Sequence, residues 1–370
     1  MHASDAREDA RRALQVCNAC RYCEGYCAVF PAMERRRAFS DGDLSFLANL
    51  CHNCRGCLYA CQYAPPHAFG INLPRTFAEL RAETYEQSAW PRFLGRAFRR
   101  QGLVAALTAA GSLALVLLLT VLLNDAAALR RASSAAGAFY AVVPEWALLS
   151  VAGLTFGFAV LALLIGIVRF WRATGSGRVP LGRPLWRALD DALAVRYLGG
   201  NGNGCNDRDE GFSQFRRRLH HGVFYGFGLC FAATCVAAFY EHVLGRIAPY
   251  PFWSAPVLLG TLGGAGMVVG SAGLAWVKVT GDPAPLARKT VGGDVALLVL
   301  LFLTAATGLV LLAWRDTAAM GVLLAVHLGS VLALFLLMPY GKFVHGAYRL
   351  AALVRHAREA GEMPTPGGGG

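Results

Sequence analysis

The chain has 370 residues, 55% of them hydrophobic, and carries 35 Lys and Arg against 23 Asp and Glu, a formal charge of +12. The length allows two domains, and the apolar share excludes an ordinary soluble protein. The charge does not argue for a nucleic-acid partner: basic residues collect in the cytoplasmic loops of membrane proteins, and no basic stretch here is interleaved with aromatics.

Residues 1–16 are charged and lack an apolar core, so no secretory signal peptide is expected and the N-terminal region is predicted to stay in the reducing cytoplasm. There, clustered cysteines read as metal ligands rather than disulfides. They form two runs, Cys17-x2-Cys20-x2-Cys23-x3-Cys27 and Cys51-x2-Cys54-x2-Cys57-x3-Cys61. This repeated spacing is the signature of a two-cluster bacterial-type ferredoxin, in which the fourth cysteine of each run ligates the other cube. One [4Fe–4S] cluster is therefore assigned to Cys17, Cys20, Cys23 and Cys61, and the other to Cys27, Cys51, Cys54 and Cys57. Structural zinc, which needs four ligands and usually two separated CxxC pairs, fits two identical four-cysteine runs poorly. Ala28 and Gln62 stand where a proline usually follows the fourth cysteine. Between the runs, Asp43 is expected to cap a short helix leading into Cys51, which favours a mostly helical domain.

Beyond a linker at residues 91–101, six apolar segments are long enough to span a bilayer, near 102–124, 146–170, 221–243, 254–278, 292–314 and 318–341. The expected domains are a ferredoxin-like domain at 1–90, a transmembrane domain at 102–350 and a cytoplasmic tail at 351–370, of which residues 364–370 read as disordered. Arg92, Arg96, Arg99 and Arg100, the arginine-rich stretch 171–220, Arg288 and Lys289, and Lys342, Arg349, Arg355 and Arg358 all fall on one side. Arg130, Arg131, Arg246 and Arg315 fall on the other, so both termini are placed in the cytoplasm of a bacterial inner-membrane protein.

Histidine in or beside a span is costly without a partner, which makes it a functional candidate. His220 and His221 open the third span and His242 ends it; His327 lies in the sixth and His345 just past it. If the sixth helix continues, His327 and His345 share one face, about 27 Å apart along it. His221 and His242 likewise fall within about 60° of each other, roughly 32 Å apart. The third and sixth spans run in opposite directions. His221, or alternatively His220, then meets His345 as an inner pair, and His242 meets His327 as a weaker outer pair. Such cross-helix pairs suit the axial ligands of one or two b-type haems. His52 and His67, beside the second cysteine run, read as hydrogen-bonding or surface residues.

The run Gly260 to Gly266 follows no strand and reads as close helix packing rather than nucleotide binding. Cys230 and Cys235 read as core residues. Cys205 stands alone on its loop, with a ligand or contact role left open. No flavin, dinucleotide or nucleophile motif is present, so a partner must supply the electrons.

Several stretches taken in order resemble the tricarballylate/citrate-utilisation protein B family. They are Cys51-His52-Asn53-Cys54 through Cys61-Gln62-Tyr63-Ala64-Pro65-Pro66-His67, then His220-His221-Gly222-Val223-Phe224-Tyr225-Gly226-Phe227, Ala248-Pro249-Tyr250-Pro251, and Met338-Pro339-Tyr340-Gly341-Lys342-Phe343-Val344-His345. The resemblance covers nearly the whole chain. It implies an electron carrier that reoxidises a soluble FAD-dependent tricarballylate dehydrogenase and passes electrons through iron–sulfur clusters and haem b to membrane quinone. The membrane part is also similar to the haem-bearing gamma subunits of respiratory nitrate reductases. The expected fold is an all-α membrane protein: a helical two-cluster ferredoxin domain followed by a six-helix bundle. The competing functions are an iron–sulfur membrane reductase with its own substrate, and a transport or redox-sensing membrane protein.

Overall fold

The structure is a computed structural model that describes residues 3–362 except 125, 131, 133 and 134. The expectations for Arg131 and for residues 364–370 lie outside the described residues.

The N-terminal head is built from α1 (Ala3–Cys20), α2 (Val29–Glu34), α3 (Asp41–Leu50), α4 (Gly56–Tyr59) and α5 (Leu73–Ser88). On α1 the buried Ala6, Ala10, Ala13 and Leu14 recur at helical spacing and form the stripe that meets α3 and α5. The N-cap of α3 is Ser40: its hydroxyl accepts from the Asp43 N–H while the Asp43 carboxylate accepts from the Ser40 N–H. Asp43 is thus the reciprocal member of a capping box rather than the cap itself, and the helix starts about one turn earlier than the sequence suggests. On α5, Asn72 caps the helix, Pro74 sits in its first turn, and Phe77, Leu80 and Tyr85 enter the core.

A 3-10 segment (Arg92–Arg100) occupies the expected linker and leads into the bundle: α6 (Gln101–Leu123), α7 (Glu145–Ala173), α9 (Phe215–His242), α10 (Ala255–Thr280), α11 (Val291–Trp314) and α12 (Met320–Leu337). These six helices are long and apolar enough to cross a membrane. A short amphipathic helix, α8 (Arg183–Leu193), joins α7 to α9, followed by a two-residue hairpin pairing Cys205–Asn206 with Phe212–Ser213. The chain is therefore an all-α multi-pass membrane protein with a helical head.

Helices α9 and α10 approach closely along a glycine seam. A Cβ on Gly226 would sit 2.7 Å from the Gly263 carbonyl oxygen, and one on Gly270 would sit 2.7 Å from that of Leu219. Without a hydrophobic drive between helices in lipid, such backbone-to-backbone contact is a main source of helix association. The glycines of the 260–266 run do this work.

The last helix changes the expected architecture. The chain turns at residues 338–341, passes through a 3-10 turn (Lys342–Val344) and begins α13 (His345–Gly361). Residues 351–361 are thus an ordered helix and not a free tail. Tyr348, Ala351, Ala352, Leu353, Val354 and Ala357 join the same buried core as Leu44, Phe46, Leu47 and Phe77 of the head. Tyr348 stacks on Tyr85 with ring centroids 5.5 Å apart and packs on Phe170 of α7. Arg355 bridges Asp43 and Glu359 and lies over the Phe46 ring at 4.2 Å. The head's core is therefore built from both ends of the chain.

Candidate functional site

The first cysteine run starts in the last turn of α1, which presents Cys17 and Cys20. Arg21 then adopts φ 53°, which reverses the chain toward Cys23. In the second run Cys51 caps the end of α3, Asn53 and Arg55 flank Cys54 at φ 59° and 70°, and Cys57 rides on α4. Left-handed backbone at arginine costs on the order of 1 kcal/mol and persists only where the surroundings impose it. Here it curls each run around its own thiols.

Two cavities result. One is lined by Cys17, Cys20, Cys23 and Cys61, with Tyr22 and Tyr63 at its edge. The other is lined by Cys27, Cys51, Cys54 and Cys57, with His52 and Tyr197. Cys57 touches both. Burial, then the neighbouring thiols Cys61 and Cys20, pushes Cys17 up to about 12; burial with Cys17 and Cys61 does the same to Cys23. Burial and the nearby Cys54 and Cys51 raise Cys27 and Cys57 well above the ordinary thiol range. Sulfurs this crowded stay protonated unless a cationic metal core stabilises the thiolates, so the donor set fits an iron–sulfur group. Among the described residues no three His, Cys, Asp or Glu converge on a single ion. Each set surrounds a volume rather than a point, unlike a tetrahedral zinc site.

The second cysteine set lies nearer the bundle. Cys205, whose role the sequence left open, is fully buried against Cys54, and its thiol donates to the Leu198 carbonyl at 2.6 Å. The Asn206 N–H donates to the Cys54 carbonyl at 2.9 Å. The hairpin thus clamps the second loop, a contact that only the tertiary fold reveals.

Between head and bundle lies a chamber of about 240 Å³ whose lining includes Arg55, Arg81, Arg216, Lys278, Lys342 and Arg349 against one carboxylate, Asp294. Asp294 is held by Lys278 at 2.6 Å and Lys342 at 2.9 Å. Arg81 and Arg349 both donate to the Cys51 carbonyl, at 3.2 and 3.0 Å, tying the chamber wall to the second cysteine set. His52 forms part of the same wall, its Nδ1–H donating to the Leu50 carbonyl at 2.9 Å.

His220 and His345 face each other across this chamber, ring centroids 6.2 Å apart and planes at 89°. The Nδ1–H of His345 donates to the Lys342 carbonyl at 2.5 Å, which leaves its Nε2 lone pair free. Burial, with Arg349 and His220 nearby, holds the His345 imidazole neutral at pH 7. The spacing leaves room for one metal atom between two ring nitrogens at bonds of about 2 Å. Arg55, Arg81 and Arg349, which have no carboxylate partner among the described residues, could meet the two carboxylates of a haem, so the residues fit that group as well.

Of the two adjacent histidines, it is His220 that turns inward. His221 points the other way, its Nε2 donating to the Ala194 carbonyl at 3.1 Å beside Tyr225. Neighbours on a helix point about 100° apart, so only one can face the chamber. The outer pair is not brought together. His242 is exposed at the far end of the bundle, 3.9 Å from Glu145, whereas His327 lines a separate cavity within the bundle. The sixth helix does not continue through residue 345, so His345 reaches the chamber because α13 starts there, not because it shares a helical face with His327.

Comparison with known proteins identifies the family. Residues 10–87 match the model of the citrate utilization protein B Fer4-like domain, and residues 96–365 match that of citrate utilization protein B. Citrate utilization protein B of Escherichia coli is 48% identical over 367 residues, covering 96% of this chain and 93% of that protein. No solved structure matches. A Fer4-like head followed by six helices long and apolar enough to cross a membrane, matched nearly end to end, places this chain in the citrate utilization protein B family.

Proposed function

We propose that the chain reoxidises a cytoplasmic FAD-dependent dehydrogenase of tricarballylate or a related tricarboxylate, and passes the electrons by way of two [4Fe–4S] clusters and b-type haem to the quinone pool of a bacterial inner membrane. Cys17, Cys20, Cys23 and Cys61 would hold one cluster, and Cys27, Cys51, Cys54 and Cys57 the other. His220 and His345 would hold the haem. Clusters and haem supply one-electron centres, which divide the two-electron output of a flavin.

The observation that carries this reading is the order of the sites. The first cysteine cavity is open at its edge, where Tyr22 is 68% exposed. The second is deeper and shares Arg55 and His52 with the cationic chamber. The chamber opens onto the membrane helices. What the chain's own residues do is position and insulate: Arg81 and Arg349 fix the Cys51 loop against the chamber, and the Lys278–Asp294–Lys342 triad fixes the bundle's end. Arginines crowd this end of the bundle, which the positive-inside rule puts in the cytoplasm. The domains are correspondingly a head at 1–90, a connector at 91–101 and a membrane domain at 102–350.

A redox titration of anaerobically purified protein, followed by visible absorption and EPR, tests the reading. About eight cluster irons per chain and a b-type alpha band are expected. Replacing either His220 or His345 with Ala should remove that band, and His221→Ala should keep it. Zinc in place of iron, or a band that survives loss of both His220 and His345, would overturn the assignment.

A further inference from the structure

Midway through the bundle lies a second cavity of about 480 Å³, the one that His327 lines. It follows directly on the chamber. Val223 and Leu301 line the chamber, and Phe227 and Ala305, one turn further along α9 and α11, line the cavity. Its walls are of a different chemistry. Phenylalanines, glycines and aliphatic residues enclose it, with a few threonine hydroxyls, Cys230 and His327, and no charged side chain contributes.

That composition decides between ligands. A haem brings two carboxylates, and this lining offers no cation to meet them; burying a charge without a partner in a membrane interior is costly. A neutral ring carried in from the lipid meets no such penalty. The outer wall suits it: Phe156 of α7 and Phe231 of α9 are in ring contact, centroids 5.7 Å apart, and Phe231 remains 47% exposed on the bundle's outer surface.

His327 is set differently from His345. Gly308 gives it room, since a Cβ there would lie 3.0 Å from its Cε1. Its Nδ1 is 3.2 Å from the Thr307 hydroxyl, and that hydroxyl is also 2.7 Å from the Leu303 carbonyl. The Thr304 backbone carbonyl also meets the ring, and a carbonyl can only accept. Carbonyl and hydroxyl together hold the hydrogen on Nδ1, so Nε2 offers a lone pair.

We propose that this neutral cavity is the quinone site, with His327 Nε2 hydrogen-bonded to one ring oxygen while Thr307 and the Thr304 carbonyl hold Nδ1–H. This rests on the proposed delivery of electrons to a membrane quinone and names where they leave the protein. The quinone takes two electrons, one at a time from the iron centres, and two protons drawn from water; both ring carbonyls become hydroxyls. The Nε2 lone pair accepts from the hydroxyl that forms on the nearer ring oxygen, and the imidazole stays neutral with its hydrogen on Nδ1 throughout.

The test uses the full, cofactor-loaded protein in lipid nanodiscs with its iron centres reduced by dithionite. Reoxidation is followed by stopped-flow absorption after mixing with a decyl-substituted benzoquinone or a short-chain naphthoquinone. His327→Leu removes the hydrogen bond. Gly153→Phe fills the cavity from a wall position where an added Cβ meets nothing within 4 Å. Each should slow reoxidation by about tenfold or more, the size expected from a lost hydrogen bond of about 1.4 kcal/mol or from steric exclusion. The haem spectrum and cluster EPR should not change. His327→Gln, which can still donate and accept, should recover much of the rate. Loss of haem absorbance in His327→Leu would instead make His327 an iron ligand and overturn the proposal. Wild-type rates in both His327→Leu and Gly153→Phe would move the quinone elsewhere. A wild-type protein that neither quinone reoxidises would sink the underlying acceptor reading itself.

Discussion

Two histidine-bearing spaces, the chamber against the head and the cavity within the bundle, sit one helical turn apart and have almost nothing else in common. The chamber against the head is crowded with cations and presents two facing imidazoles, His220 and His345. The cavity in the bundle has a neutral, aromatic wall and one imidazole. The same residue type is made ready for different chemistry by its surroundings. At His345 a backbone carbonyl frees a lone pair among cations; at His327 a hydroxyl and a carbonyl free one against an uncharged wall. A histidine in a span is thus only a candidate until the partner of its other nitrogen and the charge of its pocket are known.

The contrast can be broken from either side. The largest effect is expected from Cys54→Ser, which interrupts the supply to the charged chamber. Electron transfer from a flavoprotein donor should fall by about a hundredfold or more, measured as quinone reduction, while quinone still binds the neutral cavity. Gly226→Leu strikes both spaces at once by forcing α9 off the Gly263 carbonyl. A loss of about 2–4 kcal/mol is expected, read from thermal unfolding in detergent, because a backbone clash cannot relax cheaply. Arg349→Gln should sharpen the difference: it removes one cation from the chamber and weakens haem retention by about tenfold, measured by transfer to apomyoglobin, with quinone binding unchanged.

The smallest effect concerns the dock between α13 and the head. Burial raises the Asp43 and Glu359 carboxyls, but hydrogen bonds and charges from Arg36 and Arg355, with Ser40 at Asp43, outweigh it and hold both below the ordinary carboxylate range. Their contribution to stability is complete above pH 4.5, the ordinary glutamate value, and is lost below 3.8 as both take up protons. Limited proteolysis of α13 should accelerate over that acid window, and Asp43→Asn should remove most of the pH dependence while leaving the cysteine cavities intact.

Much of this was readable from the chain. The cysteine runs carry their own spacing rule, and the six spans announce themselves by length and apolarity. What sequence could not give depends on contacts distant in the chain. Whether His220 or His221 faces inward is a rotation of about 100°, set by how α9 seats its glycines on α10 and where α13 begins. The outer histidine pair failed because His242 lies at an exposed helix end, which helical spacing alone does not reveal. Ser40 and Asp43 are both good cap residues, and only the position of the first turn separates them. Cys205 looked solitary because its neighbours, Cys54 and Leu198, meet it only after folding. The final helix read as a tail because its apolar face is short and lies among arginines, and its partners are some 300 residues upstream.

That final helix also orders events during synthesis. Leu353 and Val354 share a buried core with Phe46 and Leu47, so a head made before the six membrane helices waits for a helix made after them before its interior is complete. Completion of the cysteine-bearing head is thereby coupled to successful insertion of every span between it and α13. A chain stalled in the membrane would present an unfinished, degradable head in place of a working redox centre.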